Sequence, residues 1–144
     1  MIRNSIFLTL AERSLMAENH KTPEKVHGMA HIFAAASYSW FGAKRLWGET
    51  AFRHELLAGG LVLILFSLIG VATPYFMFAI LLILLTLALE ALNTAIEEIV
   101  NLVSPEWSLT AKHAKDLGSF AVFCMLCSNG VFALFVILTT FDWI

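Results

Sequence analysis

The chain has 144 residues, 59% of them hydrophobic and 14% charged, with a mean hydropathy of +0.79. This balance lies outside the usual range of a soluble globular domain, and the apolar residues are gathered in runs near the ~20 needed for a helix to cross a bilayer. A large soluble catalytic domain is therefore excluded, and a formal net charge of −2 gives no basic excess, so no nucleic-acid partner is expected.

Residues 1–23 are expected to form a poorly structured extension, too weakly built for a secretory signal, with Met16 as an alternative start. Residues 24–144 read as a single integral membrane domain. Within it, Met29, Ile32, Phe33, Ala36, Trp40, Ala43 and Trp47 recur at spacings of three and four, one apolar stripe of an amphipathic helix at about 26–50 lying in the membrane interface. His31, Tyr38, Arg45 and Glu49 fall on a different face by the same spacing.

Three apolar segments follow, at about 55–72, 75–103 and 117–142, each long enough to span the ~30 Å hydrocarbon core. Each must be helical, because lipid offers backbone groups no hydrogen bonds. The fold class is thus all-α: a surface helix and three transmembrane helices. Val71-Ala72-Thr73-Pro74 breaks the first from the second, and the stretch from Ser104 to Ser108 separates the second from the third. Cys124 and Cys127 lie inside an apolar run and are expected to be buried thiols. Seven of the nine Lys and Arg residues precede the first span and two, Lys112 and Lys115, lie between the second and third. That distribution puts the N-terminus and the second loop in the cytoplasm and the C-terminus on the far side.

The second span carries Glu90, Asn93, Glu97 and Asn101, spaced by three, four and four residues and so on one helical face. A carboxylate at membrane depth costs at least ~2.5 kcal/mol, so this stripe requires a partner, a metal or a water-filled pocket. Glu90 lies about 10 Å deeper than Glu97. Polar contacts between helices of an oligomer, or an ion or proton pathway, would also account for the stripe. At the cytoplasmic rim, Glu49, Glu97, Glu106 and Asp116 offer oxygen ligands to a hard cation, and Lys115 offers a compact positive charge near a helix start. Mg²⁺, a cation on the phosphates and a base for the attacking hydroxyl would serve phosphoryl transfer. Neither a phosphate-binding glycine loop ending in Lys and Ser or Thr, nor a protein-kinase signature, is present.

Glu90-Ala-Leu-Asn93-Thr-Ala-Ile-Glu97, followed by Ala114-Lys115-Asp116-Leu-Gly-Ser119, resembles the signature of the bacterial diacylglycerol kinases. Tyr38-Ser39-Trp40 with Gly42, and Glu49-Thr-Ala-Phe52-Arg53-His-Glu55, match that family's N-terminal region. The resemblance covers about residues 30 to 140. It implies a homotrimeric, multi-pass inner-membrane enzyme that phosphorylates diacylglycerol from ATP with Mg²⁺ to give phosphatidic acid. It further implies that Glu90 is the general base and that Glu49 and Glu97 are the metal ligands. Tyr38, Glu49, Glu97, Glu106, Lys115, Asp116 and His31 then fall where the family binds ATP. Ser39, Trp40, Arg53, Glu55, Glu90, Asn93 and Ser119 fall in the stretches that shape the lipid pocket. Three departures stand out: Asn101 where the family pattern has aspartate, His31 where it has arginine, and a stretch from Tyr38 to Glu49 one residue shorter. The sister activity on the same scaffold is phosphorylation of a polyprenol such as undecaprenol.

Overall fold

The computed structural model describes residues 29–142, all-α among those residues. The 1–23 extension lies outside them. Four helices follow one another: α1 Met29–Leu46, α2 Thr50–Leu68, α3 Thr73–Val103 and α4 Leu109–Thr140. The last three are long and apolar enough to cross a membrane. At 1.5 Å per residue α3 and α4 exceed the ~30 Å hydrocarbon core, so each has turns to spare at its ends. α4 begins two turns ahead of its apolar run, which places Lys112, Lys115 and Asp116 on the helix itself.

α1 divides between two compact units, one ending at Tyr38 and one beginning at Ser39. The side chains of Met29, His31 and Ile32 lie outside the described residues, while Phe33, Trp40 and Trp47 are exposed. Two sequence expectations need correction here. Trp47 and Glu49 are not on this helix. The helix stops at Leu46, Trp47 and Gly48 form a turn, and Glu49 takes extended backbone (φ −83°, ψ 131°) as the residue that caps the start of α2. Gly48, a poor helix former, lets the chain leave the helical path at this point.

The α2–α3 turn is set by local chemistry. Gly70 takes a positive φ of 71°, and the Val71 amide donates back to the Phe66 carbonyl at 3.0 Å, closing the end of α2. Pro74 then sits in the first turn of α3, where its missing N–H costs nothing. At the opposite end, Ser108 caps α4 by accepting from the Ala111 amide at 3.2 Å.

Phe66 of α2, Ala79 of α3 and Val136 of α4 meet in a small apolar core, flanked by Val62, Phe76 and Phe132. Higher up, Gly59 lets α2 approach α3: a Cβ there would stand 2.9 Å from Ile83 Cγ2. Halfway along, the Asn129 amide of α4 donates to Thr86 Oγ1 of α3 at 2.9 Å, and Thr86 in turn donates to the Leu82 carbonyl at 3.0 Å. In lipid such an interhelical bond contributes about 0.6 to 2 kcal/mol. Cys124 and Cys127 correct a third expectation, for both are free and exposed on α4. A thiol on a membrane helix can face lipid, so its apolar character does not require burial within the protein.

Candidate functional site

α2, α3 and α4 enclose a cavity of about 350 Å³ toward the C-terminal end of α3 and the N-terminal end of α4. Glu49, Glu55, Glu90, Asn93, Thr94, Glu97 and Ser119 line it, with Ala51, Val122, Phe123 and Leu126 as its apolar wall. The contribution of α3 follows from helical spacing, since residues 90, 93, 94 and 97 share one face. α2 adds Glu49 from its cap and Glu55 from its second turn; α4 adds Ser119. Glu90, Asn93 and Thr94 are 4%, 8% and 8% exposed, so the stripe is turned into the protein rather than toward lipid.

The Asn93 amide donates from Nδ2 to Glu97 Oε1 at 3.2 Å, fixing the orientation of that carboxylate. Its Oδ1 is buried without a hydrogen-bond partner, and so is one oxygen of Glu55. Oδ1 lies against the backbone of Gly118, so a side-chain carbon at that position would require Asn93 or the helix backbone to shift. Leu126 and Glu55 also line a second, deeper chamber of about 180 Å³ walled by Val62, Phe66, Ile83 and Phe132. The acidic cavity and the apolar chamber therefore adjoin.

Six of the residues singled out in the sequence (Glu49, Glu55, Glu90, Asn93, Glu97 and Ser119) come together here. The others do not line this cavity. Lys115 donates to Asn101 Oδ1 at 2.7 Å, and Asp116 pairs with Lys112 at 2.5 Å, so these neighbours engage different partners where α3 ends and α4 begins. Arg53 is exposed and donates to Thr50 Oγ1 at 3.3 Å. Glu106 is exposed in the α3–α4 loop. Ser39 and Trp40 are exposed on α1, and Tyr38, also exposed, belongs to the preceding unit.

Thr94 is a lining residue that sequence reasoning missed, although its position four residues after Glu90 was a sufficient signal. Arg45, which the spacing places only on the second face of the surface helix, reaches the edge of the site. Its guanidinium bonds Glu49 and Glu98, and these two carboxylates raise its pKa further above the usual arginine range.

Among the described residues no three His, Cys, Asp or Glu side chains cluster closely enough to hold a metal unaided. The donor set nonetheless suits Mg²⁺, which keeps several waters and is commonly held by one or two carboxylates together with substrate phosphates. Glu49 and Glu97 are two such carboxylates at one cavity, with Glu97 oriented by Asn93.

Comparison with known proteins identifies the family. The prokaryotic diacylglycerol kinase family matches residues 37–137. A diacylglycerol kinase of Sinorhizobium is 54% identical over 115 residues, 80% of this chain and 84% of that protein. That of Haemophilus influenzae is 35% identical over 108 residues, 74% of this chain and 92% of its own. That of Pseudomonas aeruginosa is 37% identical over 100 residues, 69% and 81% of the two chains. The chain belongs to the prokaryotic diacylglycerol kinase family, and is a multi-pass membrane protein of the lipid kinase class.

Proposed function

We propose that the protein transfers the γ-phosphoryl group of ATP to the hydroxyl of diacylglycerol, giving phosphatidic acid, in a Mg²⁺-dependent reaction at the cytoplasmic face of the bacterial inner membrane. The observation that carries this reading is a single cavity lined by four carboxylates and, among the described residues, by no Lys or Arg, beside an apolar chamber. A divalent cation among the carboxylates and a lipid in the apolar chamber would suit such a site. Residues 24–144 act as one kinase domain, as a homotrimer, with the N-terminus in the cytoplasm and the C-terminus on the far side.

Glu90, deepest on the α3 stripe, is the general base: its carboxylate takes the proton of the lipid hydroxyl as that oxygen bonds to the γ-phosphorus and the bond to ADP breaks. Glu49 and Glu97 would hold Mg²⁺, which neutralises charge on the phosphates. Asn93 keeps Glu97 aimed into the cavity. Lys115 contributes positive charge to the nucleotide, with Glu106 and Asp116 as further nucleotide contacts; Tyr38 and His31 are assigned to ATP on the family resemblance alone. Ser39, Trp40, Arg53, Glu55 and Ser119 shape the lipid pocket.

The test is a lipid-kinase assay with labelled MgATP in detergent micelles, with diacylglycerol and undecaprenol offered in parallel. Label is expected in diacylglycerol and dependent on Mg²⁺. Label in undecaprenol alone would reassign the substrate, and label in neither would overturn the reading.

A further inference from the structure

Arg45 and Glu98 have no role in the chemistry above, yet the structure joins them to the site. Arg45 lies in the last turn of α1, where Nη1 reaches Glu49 Oε1 at 2.6 Å and Nε reaches Glu98 Oε1 at 2.6 Å. Glu98 follows Glu97 on α3, and successive helical residues point about 100° apart. One glutamate thus faces the cavity while its neighbour turns to the guanidinium. Glu49 occupies the cap position of α2 but its side chain makes no capping bond, so its placement depends on Arg45. The turn between them is glycine at position 48, where a Cβ would come within 3.2 Å of the Arg45 carbonyl and 3.6 Å of Nη1. The guanidinium therefore closes over the turn and bridges two parts of the chain: the cap of α2 and the C-terminal end of α3.

We infer that Arg45 and Glu98 are positioning residues for the divalent-cation site, fixing the Glu49 carboxylate with respect to Glu97 so that both address one ion. This rests on the proposed assignment of Glu49 and Glu97 as ligands. Arg45 engages one oxygen of Glu49 and leaves the other for a cation. Glu98 has a second effect, because it shares the guanidinium charge that would otherwise fall wholly on Glu49. All three side chains are substantially exposed, and exposed ion pairs add little to stability. Their effect should accordingly appear in metal binding and not in folding. Partners that orient a metal-binding carboxylate typically affect affinity roughly ten- to a hundredfold.

The experiment uses the full chain in detergent with a non-hydrolysable ATP analogue, and reads Mn²⁺ binding by electron paramagnetic resonance beside lipid-kinase rates titrated with Mg²⁺. Arg45→Gln is expected to weaken Mn²⁺ binding by roughly tenfold or more, and Glu98→Gln to weaken it in the same direction. Arg45→Lys, which keeps the charge but lacks the two-pronged fork, should recover part of the loss. At saturating Mg²⁺ the kcat of each should stay within about twofold of the parent, so that the change appears in the metal requirement. Unchanged Mn²⁺ affinity in both Gln variants would overturn the inference, as would tighter binding in Arg45→Gln, the result expected if Arg45 merely competes with the ion. Should Arg45→Gln fail to fold, the Mn²⁺ affinity of Glu98→Gln decides between these outcomes. Absence of phosphoryl transfer in the parent protein would instead overturn the kinase reading, which separates the two failures.

Discussion

Gly118→Ala should damage the site without removing any charged or polar group. The new methyl would be driven onto Asn93 Oδ1, closer than non-bonded atoms approach, with the Asn93 Cγ at 3.3 Å behind it. Asn93 has little room to yield, being 8% exposed and bound through Nδ2 to Glu97. Either α3 and α4 move apart or the amide rotates and releases Glu97. Overpacking costs about 1–3 kcal/mol, and losing a hydrogen bond to a charged group about 1.5–3 kcal/mol. Only one of these routes needs to be taken, and alanine's better helix propensity returns up to about 1 kcal/mol. A net loss of about 1–2 kcal/mol is therefore expected. Rotation would also free Glu97, so the Mg²⁺ requirement should rise, by roughly tenfold or more. Chemical unfolding in detergent gives the first quantity, and kinase rates against Mg²⁺ concentration give the second. Gly60→Ala is the control, since a Cβ there meets nothing within 4 Å. Adding Asn93→Ala to Gly118→Ala should recover stability relative to Gly118→Ala alone, because the clash has lost one of its partners. Parent-like stability together with a parent-like Mg²⁺ requirement in Gly118→Ala would refute this reasoning.

Glu90→Gln keeps the size of a buried side chain but cannot accept the hydroxyl proton. Transfer to diacylglycerol should fall by about 10²–10⁴ while a fluorescent ATP analogue still binds, and a loss below about tenfold would assign the base elsewhere. Lys115→Met should raise the KM for ATP and lower the maximal rate, with the KM for diacylglycerol little changed; steady-state kinetics in both substrates will show whether the two respond separately. Asn101→Asp would convert the 2.7 Å hydrogen bond to Lys115 into an ion pair. That pairing draws the lysine charge away from the nucleotide, so the KM for ATP should rise, by up to about fivefold, with the fold intact by circular dichroism.

The features legible in the sequence were those written along one helix. Glu90, Asn93 and Glu97 share a face of α3 because of the helical period, and Thr73-Pro74 marks where α3 begins. Contacts between helices were not legible. Nothing near Gly118 in the sequence announces that Asn93, on the preceding helix, crowds the position where a side chain would begin. Asn129 likewise reads as an isolated polar residue until α4 is laid beside Thr86. Spacing alone extends the surface helix through Glu49, because a periodicity rule cannot detect that the helix stops at Leu46. The exposed Cys124 and Cys127 show a related limit: in lipid, hydropathy no longer distinguishes the inside of a protein from its outside.

Among the described residues, the only fully hydrophobic side chains that the chain buries are Phe66, Ala79, Val122 and Val136. Most of its large apolar surface faces outward, toward acyl chains and, in the proposed trimer, neighbouring copies. The surroundings thus take over the role that a core fills in a soluble protein, and the amphiphile becomes a component of the folded state. Its unfolding midpoint should accordingly depend on dilution, falling as the ratio of detergent to protein rises and association is lost by mass action. Short-chain detergents, which cover a transmembrane helix poorly, should lower it further than long-chain ones at the same molar ratio.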